Sequence, residues 1–145
     1  MGNITGNRVI NGTWGEIWLD NDYVGECYGF QAKLNFNKED MQFCGQMEVD
    51  TKIISTKGTG SMKLHKVSSR MANKISNNIN KGIDTRFTIT SKLADPDAFG
   101  AERVVVRNAS FDDLTLADWE VAVTGKTETP FTFTKHEFLD KVADR

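Results

Sequence analysis

Any chemistry in this chain would have to come from a short list of side chains. Cys27 and Cys44 are its two cysteines, and His65 and His136 its two histidines. All four are metal-ligand types, but no two lie within ligand-pair spacing, so no metal site is expected. In a reducing compartment the two cysteines read as small apolar groups rather than a disulfide. Gly58-Thr59-Gly60-Ser61 has the glycines of a phosphate-cradling loop. It lacks the G-x-x-x-x-G-K-[ST] spacing and precedes a strand-like stretch, so a hairpin turn is expected there. Asp95 with Asp97, and Asp112 with Asp113, pair carboxylates without the full ligand loop that calcium needs, and they read as turn residues. No serine sits in a nucleophile elbow and no histidine in a metal-protease helix. Lys33, Lys63, Lys66, Arg70 and Lys74 are scattered among polar residues, as on a solvated surface. No catalytic residue, cofactor or metal ligand is nominated, and an enzyme is not expected.

The elements are more legible than the chemistry, and the stretch from Gly45 to Gly82 organises them. Met47 to Ile53 alternates apolar and charged residues with the two-residue period of a strand that has one wet face. Lys57-Gly58-Thr59-Gly60 reads as a turn, and a second strand follows with Met62 and Leu64 on one side and Ser61, Lys63 and His65 on the other. The period then changes. Val67, Met71, Ile75 and Ile79 recur every fourth residue, with Ala72 beside them, which predicts a helix capped by Ser68 or Ser69 and stopped by Gly82.

Before this stretch, residues 1–12 read as an extended or mobile arm rich in Gly and Asn. Trp14 to Leu19 is a predicted strand with Ile17 and Leu19 on one face and Trp14, Glu16 and Trp18 on the other. Two tryptophans on that outer face fit either a sheet covered on both sides or a surface buried against another subunit. Tyr23 to Phe36 alternates over a length that calls for a bulge near Gly29. Its predicted core face holds Val24, Tyr28, Phe30, Ala32, Leu34 and Phe36, and Asn37-Lys38-Glu39-Asp40 follows as a charged loop. After the helix, strands are expected at Arg86–Leu93, Glu102–Phe111 and Thr129–Thr134, with Pro130 at the start of the last. Leu114, Leu116, Trp119, Val121 and Val123 are further core candidates. Thr134-Lys135-His136-Glu137 has capping-box form, so a short C-terminal helix through Phe138, Leu139 and Val142 is expected.

The 145 residues are enough for one domain with its own core, and their Gly, Thr and Asn content fits an all-β body. A formal net charge of −2 lacks the basic footprint of a dedicated nucleic-acid binder. No apolar run is long enough to span a bilayer. The first residues lack the basic and apolar regions of a signal peptide, so folding in a cytosol is expected.

The order of features is recognisable. A Gly/Asn-rich arm, a long strand pair, GTGSMKLHKVSS entering a helix, DPDAFGAERVVVRNASFDDLTLADWEVAV and TPFTFTKHEFLDKV together resemble the tail tube proteins of contractile phage tails. The nearest group is the PBSX-like family of Gram-positive prophages, which also supplies the tubes of R-type bacteriocins such as diffocins. The resemblance spans nearly the whole chain and implies a single tail tube domain over residues 1–145. It implies a mainly β fold, a sandwich or barrel with one flanking helix, forming hexameric rings that stack into a hollow conduit for DNA or ions. It also implies contacts with a tail sheath protein and with baseplate or tube initiator and terminator proteins, DNA only as cargo, and no membrane insertion. Assembly would occur in a bacterial cytoplasm, yielding part of a phage tail or a released bacteriocin particle. On this basis Glu48, Asp50, Lys52, Ser61 and Lys63 are candidate lumen residues, although strand period fits the outer surface of the tube equally. Trp14, Trp18, Val49, Ile53, Asn37, Lys38, Glu39 and Asp40 are candidate subunit contacts. The competing reading is a monomeric β-sandwich module that binds protein, or carbohydrate through Trp14 and Trp18.

Overall fold

The computed structural model describes residues 4–97 and 100–142. Met1–Asn3 of the expected arm, Ala98 and Phe99 of the expected loop, and the last three residues lie outside it. Eight strands and one helix follow two short 3-10 turns. They are β1 (Gly15–Leu19), β2 (Asp22–Tyr23), β3 (Cys27–Met41), β4 (Asp50–His65), α1 (Arg70–Asn80), β5 (Phe87–Leu93), β6 (Glu102–Phe111), β7 (Lys126–Phe133) and β8 (Lys135–Asp140). All pairings are antiparallel. One layer runs β2-β1-β5-β6-β8 and the other β6-β7-β4-β3, so β6 belongs to both.

The crossing of β6 has a local cause. Asn108 takes φ 58, a left-handed conformation that asparagine tolerates better than most residues. Its side-chain amide donates to Thr134 Oγ1 at 2.8 Å. Thr134 is the joint between β7 and β8, so the two neighbouring chains bend together. This corner closes one flank of the sandwich. Leu19, Met62, Ile89, Val106 and Phe131 are almost fully buried between the layers. Phe131 joins the two sides, with ring centroids 5.7 Å from Phe30 and 6.0 Å from Phe111.

α1 packs on this core through Ile75 and Met71. Two ion pairs tie it to the β2–β3 region, Arg70 to Glu26 at 2.9 Å and Lys74 to Asp22 at 2.7 Å. Gly82 ends the helix at φ 73. Its N–H donates to Ile79 O at 2.9 Å, and that of Ile83 to Asn78 O at 2.8 Å, as in a Schellman cap. Ser69 occupies the N-cap position, but its side chain makes no cap bond. The ends of the predicted stripe, Val67 and Ile79, are exposed.

Four expectations are corrected. Lys57–Gly60 is no turn: β4 runs straight through it, and the hairpin turns at residues 42–49 instead. The two glycines serve packing. A Cβ at Gly58 would stand 2.6 Å from ring carbons of Phe133, and one at Gly60 would stand 2.6 Å from Phe131 and strike the Gln31 carbonyl. Asn37–Asp40 is likewise part of β3, held by partners Ser55, Ile53, Lys52 and Thr51. Pro130 lies inside β7 rather than at its start. Finally, residues 135–140 form β8 and no helix, because this stretch continues past Thr134 along the β6 edge and pairs with it. That ladder outweighs the capping-box signal.

The glycine contacts are testable. Gly58→Ala and Gly60→Ala should each lower stability by about 1–3 kcal/mol through overpacking. Gly12→Ala, where nothing lies within 4 Å, serves as the control. Urea denaturation midpoints unchanged in both β4 variants would contradict this role.

Candidate functional site

The β3–β4 ribbon is longer than the body it belongs to. β7 covers β4 only from Gly58 to His65, leaving residues 50–57 and their β3 partners as a projecting arm. Register fixes the faces of this arm. Asp50, Lys52, Ser55, Lys57, Thr59, Ser61 and Lys63 lie opposite Met41, Glu39, Asn37, Asn35, Lys33, Gln31 and Gly29, all alternate residues of β3. Asp50, Lys52, Ser61 and Lys63 therefore share one polar face. They do so although the first two are even-numbered and the last two odd, because Ile54 is an extra residue where the register shifts between Asn37 and Lys38. Glu48 sits in the exposed turn before β4. The sequence reading placed a turn inside β4, yet it grouped these four residues on one face as the structure does.

The opposite face begins in the core with Phe30, Met62 and Leu64 and continues onto the arm. There Phe36 and Ile53, with the bulged Ile54, lie about half exposed. Met47 is 93% exposed and Val49 53%. The alternation of Met47 to Ile53 puts both, with Ile53, on the face opposite the wet one, which a sandwich would turn to its core. Instead they occupy the hairpin turn and the arm, where the sandwich offers no second layer. Of the other nominated contact residues, Lys38 and Asp40 share the face of Ile53, while Asn37 and Glu39 share the polar face.

Trp14 and Trp18 part company. Trp14, on the 3-10 turn Gly12–Trp14, is half exposed. Trp18 is half buried, its ring 5.4 Å from that of Tyr23 on the outer face of the first layer. The bulge expected near Gly29 lies between Cys27 and Gly29. It turns Tyr28 out of the core face, onto His65 at 4.5 Å with the Lys126 ammonium 5.7 Å from its ring. The arm of residues 1–12 is not simply extended. Gly6–Arg8 forms a 3-10 turn, and Asn11 N–H donates to the buried Asp95 carboxylate at 2.8 Å. Asp97 N–H donates to the same carboxylate at 3.0 Å, which accounts for the Asp95/Asp97 pair as turn chemistry.

A surface that the sequence reading assigned to the core is bare. Residues 113–125, between β6 and β7, contain no strand, and Leu116, Trp119 and Val121 are each more than 80% exposed, with Val123 at 58%. Only Leu114 of the five candidates packs on the core. Asp112, Asp113, Asp118 and Glu120 could have revealed this, since so many carboxylates cannot accompany a buried segment. On the flank opposite the β6 corner, a groove of ≈650 Å³ opens between β1 and β3, lined among others by Ile17, Tyr23, Tyr28 and Phe30. The outer edge of β3 beside it has no strand partner among the described residues.

Electrostatics add little catalytic interest. Lys74, by hydrogen bond and charge, holds the exposed Asp22 carboxyl below its usual range. Burial pushes the Cys27 thiol up, against a contact to Gly29 O at 3.3 Å. Among the described residues no cluster of three or more His, Cys, Asp or Glu side chains could hold a metal ion.

A mainly antiparallel sandwich with one helix, a projecting hairpin arm and bare apolar surfaces defines a structural protein of the tail-tube class. Residues 2–140 match the phage tail tube protein family (DUF2001), and the chain belongs to that family. It is 28% identical over 139 residues to the phage-like element PBSX protein XkdM of Bacillus subtilis strain 168, covering 94% of this chain and 95% of the relative. Its fold is shared by a chain of the PVC extracellular contractile injection system sheath–tube complex. That match has TM-score 0.73 at 9% identity and covers 92% of each chain. The tube-terminating cap of the anti-feeding prophage matches with TM-score 0.70 at 12% identity, covering 98% of this chain and 97% of the other. The chain is thus a PBSX-like tail tube protein, structural rather than enzymatic, and the family match favours this over the binding module.

The two cysteines should differ in reactivity. Cys44 is exposed, whereas Cys27 is partly buried with its thiol held protonated. A small maleimide at neutral pH should modify Cys44 first, and raising the pH should speed Cys27 only above the ordinary thiol range. Equal rates, read by mass spectrometry, would contradict the burial of Cys27.

Proposed function

We propose that residues 1–145 act as a single tail tube domain, with residues 1–12 as its arm. Copies assemble as homo-hexameric rings stacked into the inner tube of a contractile phage tail or a headless bacteriocin particle. One observation carries this reading: the protomer has too much surface to stand alone. Its accessible area is 10436 Å². A compact monomer of this size exposes about 7,500 Å², leaving an excess of roughly 3,000 Å². That excess compares with about four half-interfaces of ~800 Å² each, matching a subunit with two neighbours in its ring and one above and below. The arm contributes to it, with Phe36 and Ile53 each about half exposed.

In this assembly the joints between subunits are completed by sheet pairing, using the free outer edges of β3 and β8. The polar face bearing Asp50, Lys52, Ser61 and Lys63, with Glu48 at its tip, lines the lumen. It mixes both charge signs and is wholly hydrated, so it neither grips nor strongly repels a passing cargo, DNA in a phage or ions in a bacteriocin. Sheath, baseplate initiator and terminator proteins are the partners that such a tube requires. Assembly takes place in the bacterial cytoplasm.

Two measurements check the proposal. Val49→Asp or Ile53→Asp should abolish tubes seen by negative-stain microscopy while leaving the protomer folded by circular dichroism. Tubes of normal length would show that the arm has been misplaced. For the lumen, an Asp50→Cys variant in a Cys27→Ala/Cys44→Ala background should react in assembled tubes with a small maleimide but not with a polymer-bearing one. Equal labelling by both reagents would put the polar face outside.

A further inference from the structure

Lysines that look scattered in the sequence are gathered by the fold. Over the body, Lys57, Lys63 and His65 of β4 alternate outward, while Met62 and Leu64 turn to the core. Register sets Lys33 of β3 opposite Thr59 and Lys126 of β7 opposite His65. Lys33, Lys57, Lys63 and Lys126 therefore share one outer face. All four are exposed, and none forms an ion pair among the described residues. Glu128, opposite Lys63, is the one carboxylate on the paired strands of this half. Tyr28 closes its far end, with His65 at 4.5 Å and the Lys126 ammonium at 5.7 Å from its ring. Beyond the bulge at Ile54 the sign changes, and Glu39, Asp50 and the nearby Glu48 outnumber Lys52. The near balance of the whole face thus combines a basic half over the body with an acidic half on the arm.

We propose that the basic half is a sequence-independent binding surface for the phosphate backbone of DNA. The inference rests on the conduit reading above for where this face lies, and deepens it by naming the class of cargo. From Lys57 to His65 the strand spans about 26 Å. Duplex DNA presents about fifteen phosphates over that length. The patch is an open sheet face three strands wide, which suits a rod-like polyanion better than a peptide that needs a groove or a strand edge. Between the lysines stand Gln31, Asn35, Thr59, Ser61 and Thr132, neutral groups of the kind that bond phosphate oxygens without reading bases. The chain's net charge of −2 keeps the attraction local to this patch. A polyanion longer than one ring meets basic and acidic halves in turn, and its energy changes little as it advances, so passage stays free. A duplex no longer than the basic half meets attraction alone.

The test titrates dilute full-length protomer, its state read by sedimentation, into a fluorescein-labelled duplex of about eight base pairs. Anisotropy should report a dissociation constant of about 10⁻⁴ M at low salt, with a log–log salt slope of about −3 to −4 for four lysines. Lys33→Glu/Lys63→Glu should weaken binding at least tenfold. Lys38→Glu/Lys52→Glu, the same charge change placed on the arm, should weaken it less than twofold. Circular dichroism checks each fold, and where the first pair unfolds, a several-fold loss in Lys57→Gln/Lys126→Gln is read in its place. Binding that is absent or independent of salt overturns the proposal. Equal weakening by the arm pair does so too, because the attraction would then belong to no particular face. Poly-glutamate of equal charge competing as well as unlabelled duplex would assign the face to acidic protein chains and also overturn it. Microscopy scores tubes separately: tubes without DNA binding remove this inference and leave the conduit standing, whereas binding without tubes keeps the surface and removes the conduit.

Discussion

Phe131 and Phe133 of β7 fill the space in which side chains at Gly60 and Gly58 of β4 would otherwise stand. Much of the architecture depends on that close approach. It lets β4 run uninterrupted from His65 into the arm, because no bulky residue forces the strand away from the layer behind it. It also brings Phe131 within stacking distance of Phe30 and Phe111, so the two halves of the core are joined through one ring. Interiors packed to crystal-like density leave no room for a methyl at such a place.

The sequence was legible where periodicity and burial agree. Met62 and Leu64, Ile17 and Leu19, and Ile75 at the middle of the helix stripe fall on predicted apolar faces and lie in the core. It was misleading where one local signal has two physical uses. A Gly-x-Gly pair serves equally for a turn and for a close approach of aromatic rings. Thr134-Lys135-His136-Glu137 offers a helix cap, but a strand edge on β6 supplies more hydrogen bonds. Apolar residues at 114–123 read as core because a monomer would have to bury them, a premise that fails in a chain built to meet copies of itself. The polar face of β4 was found for a partly mistaken reason. Two errors of parity, a turn that is absent and a bulge at Ile54 that went unseen, cancel.

That bulge separates two jobs. Below it, the alternation of β4 serves the sandwich, with Gly58, Gly60, Met62 and Leu64 inward. Above it, the inward position passes to Ile53, so Phe36 and Ile53 carry apolar side chains onto a face of the arm that they share with Lys38, Asp40, Thr51 and Thr56. Bulges as a rule increase local twist as well as shifting the register. An edge as long as β3 would ordinarily invite indiscriminate pairing. Here it carries Lys33, Lys38, Glu39 and Asp40, charges of the kind that discourage unregistered partners. The arm thus combines half-exposed apolar side chains, Phe36 and Ile53, with an edge that resists casual pairing.

This combination bears on how the proposed tube would grow. An axial contact that engages only a few apolar side chains must overcome the several kcal/mol lost when two molecules give up independent motion, so two protomers meeting by such a contact alone would not persist. In the proposed hexameric ring the same contact is presented six times in fixed geometry. Once the first has formed, the remaining five are effectively intramolecular, and their combined affinity exceeds that of any one by orders of magnitude. Growth of the proposed tube is then by whole rings meeting whole rings, or by protomers adding where lateral and axial neighbours are both in place.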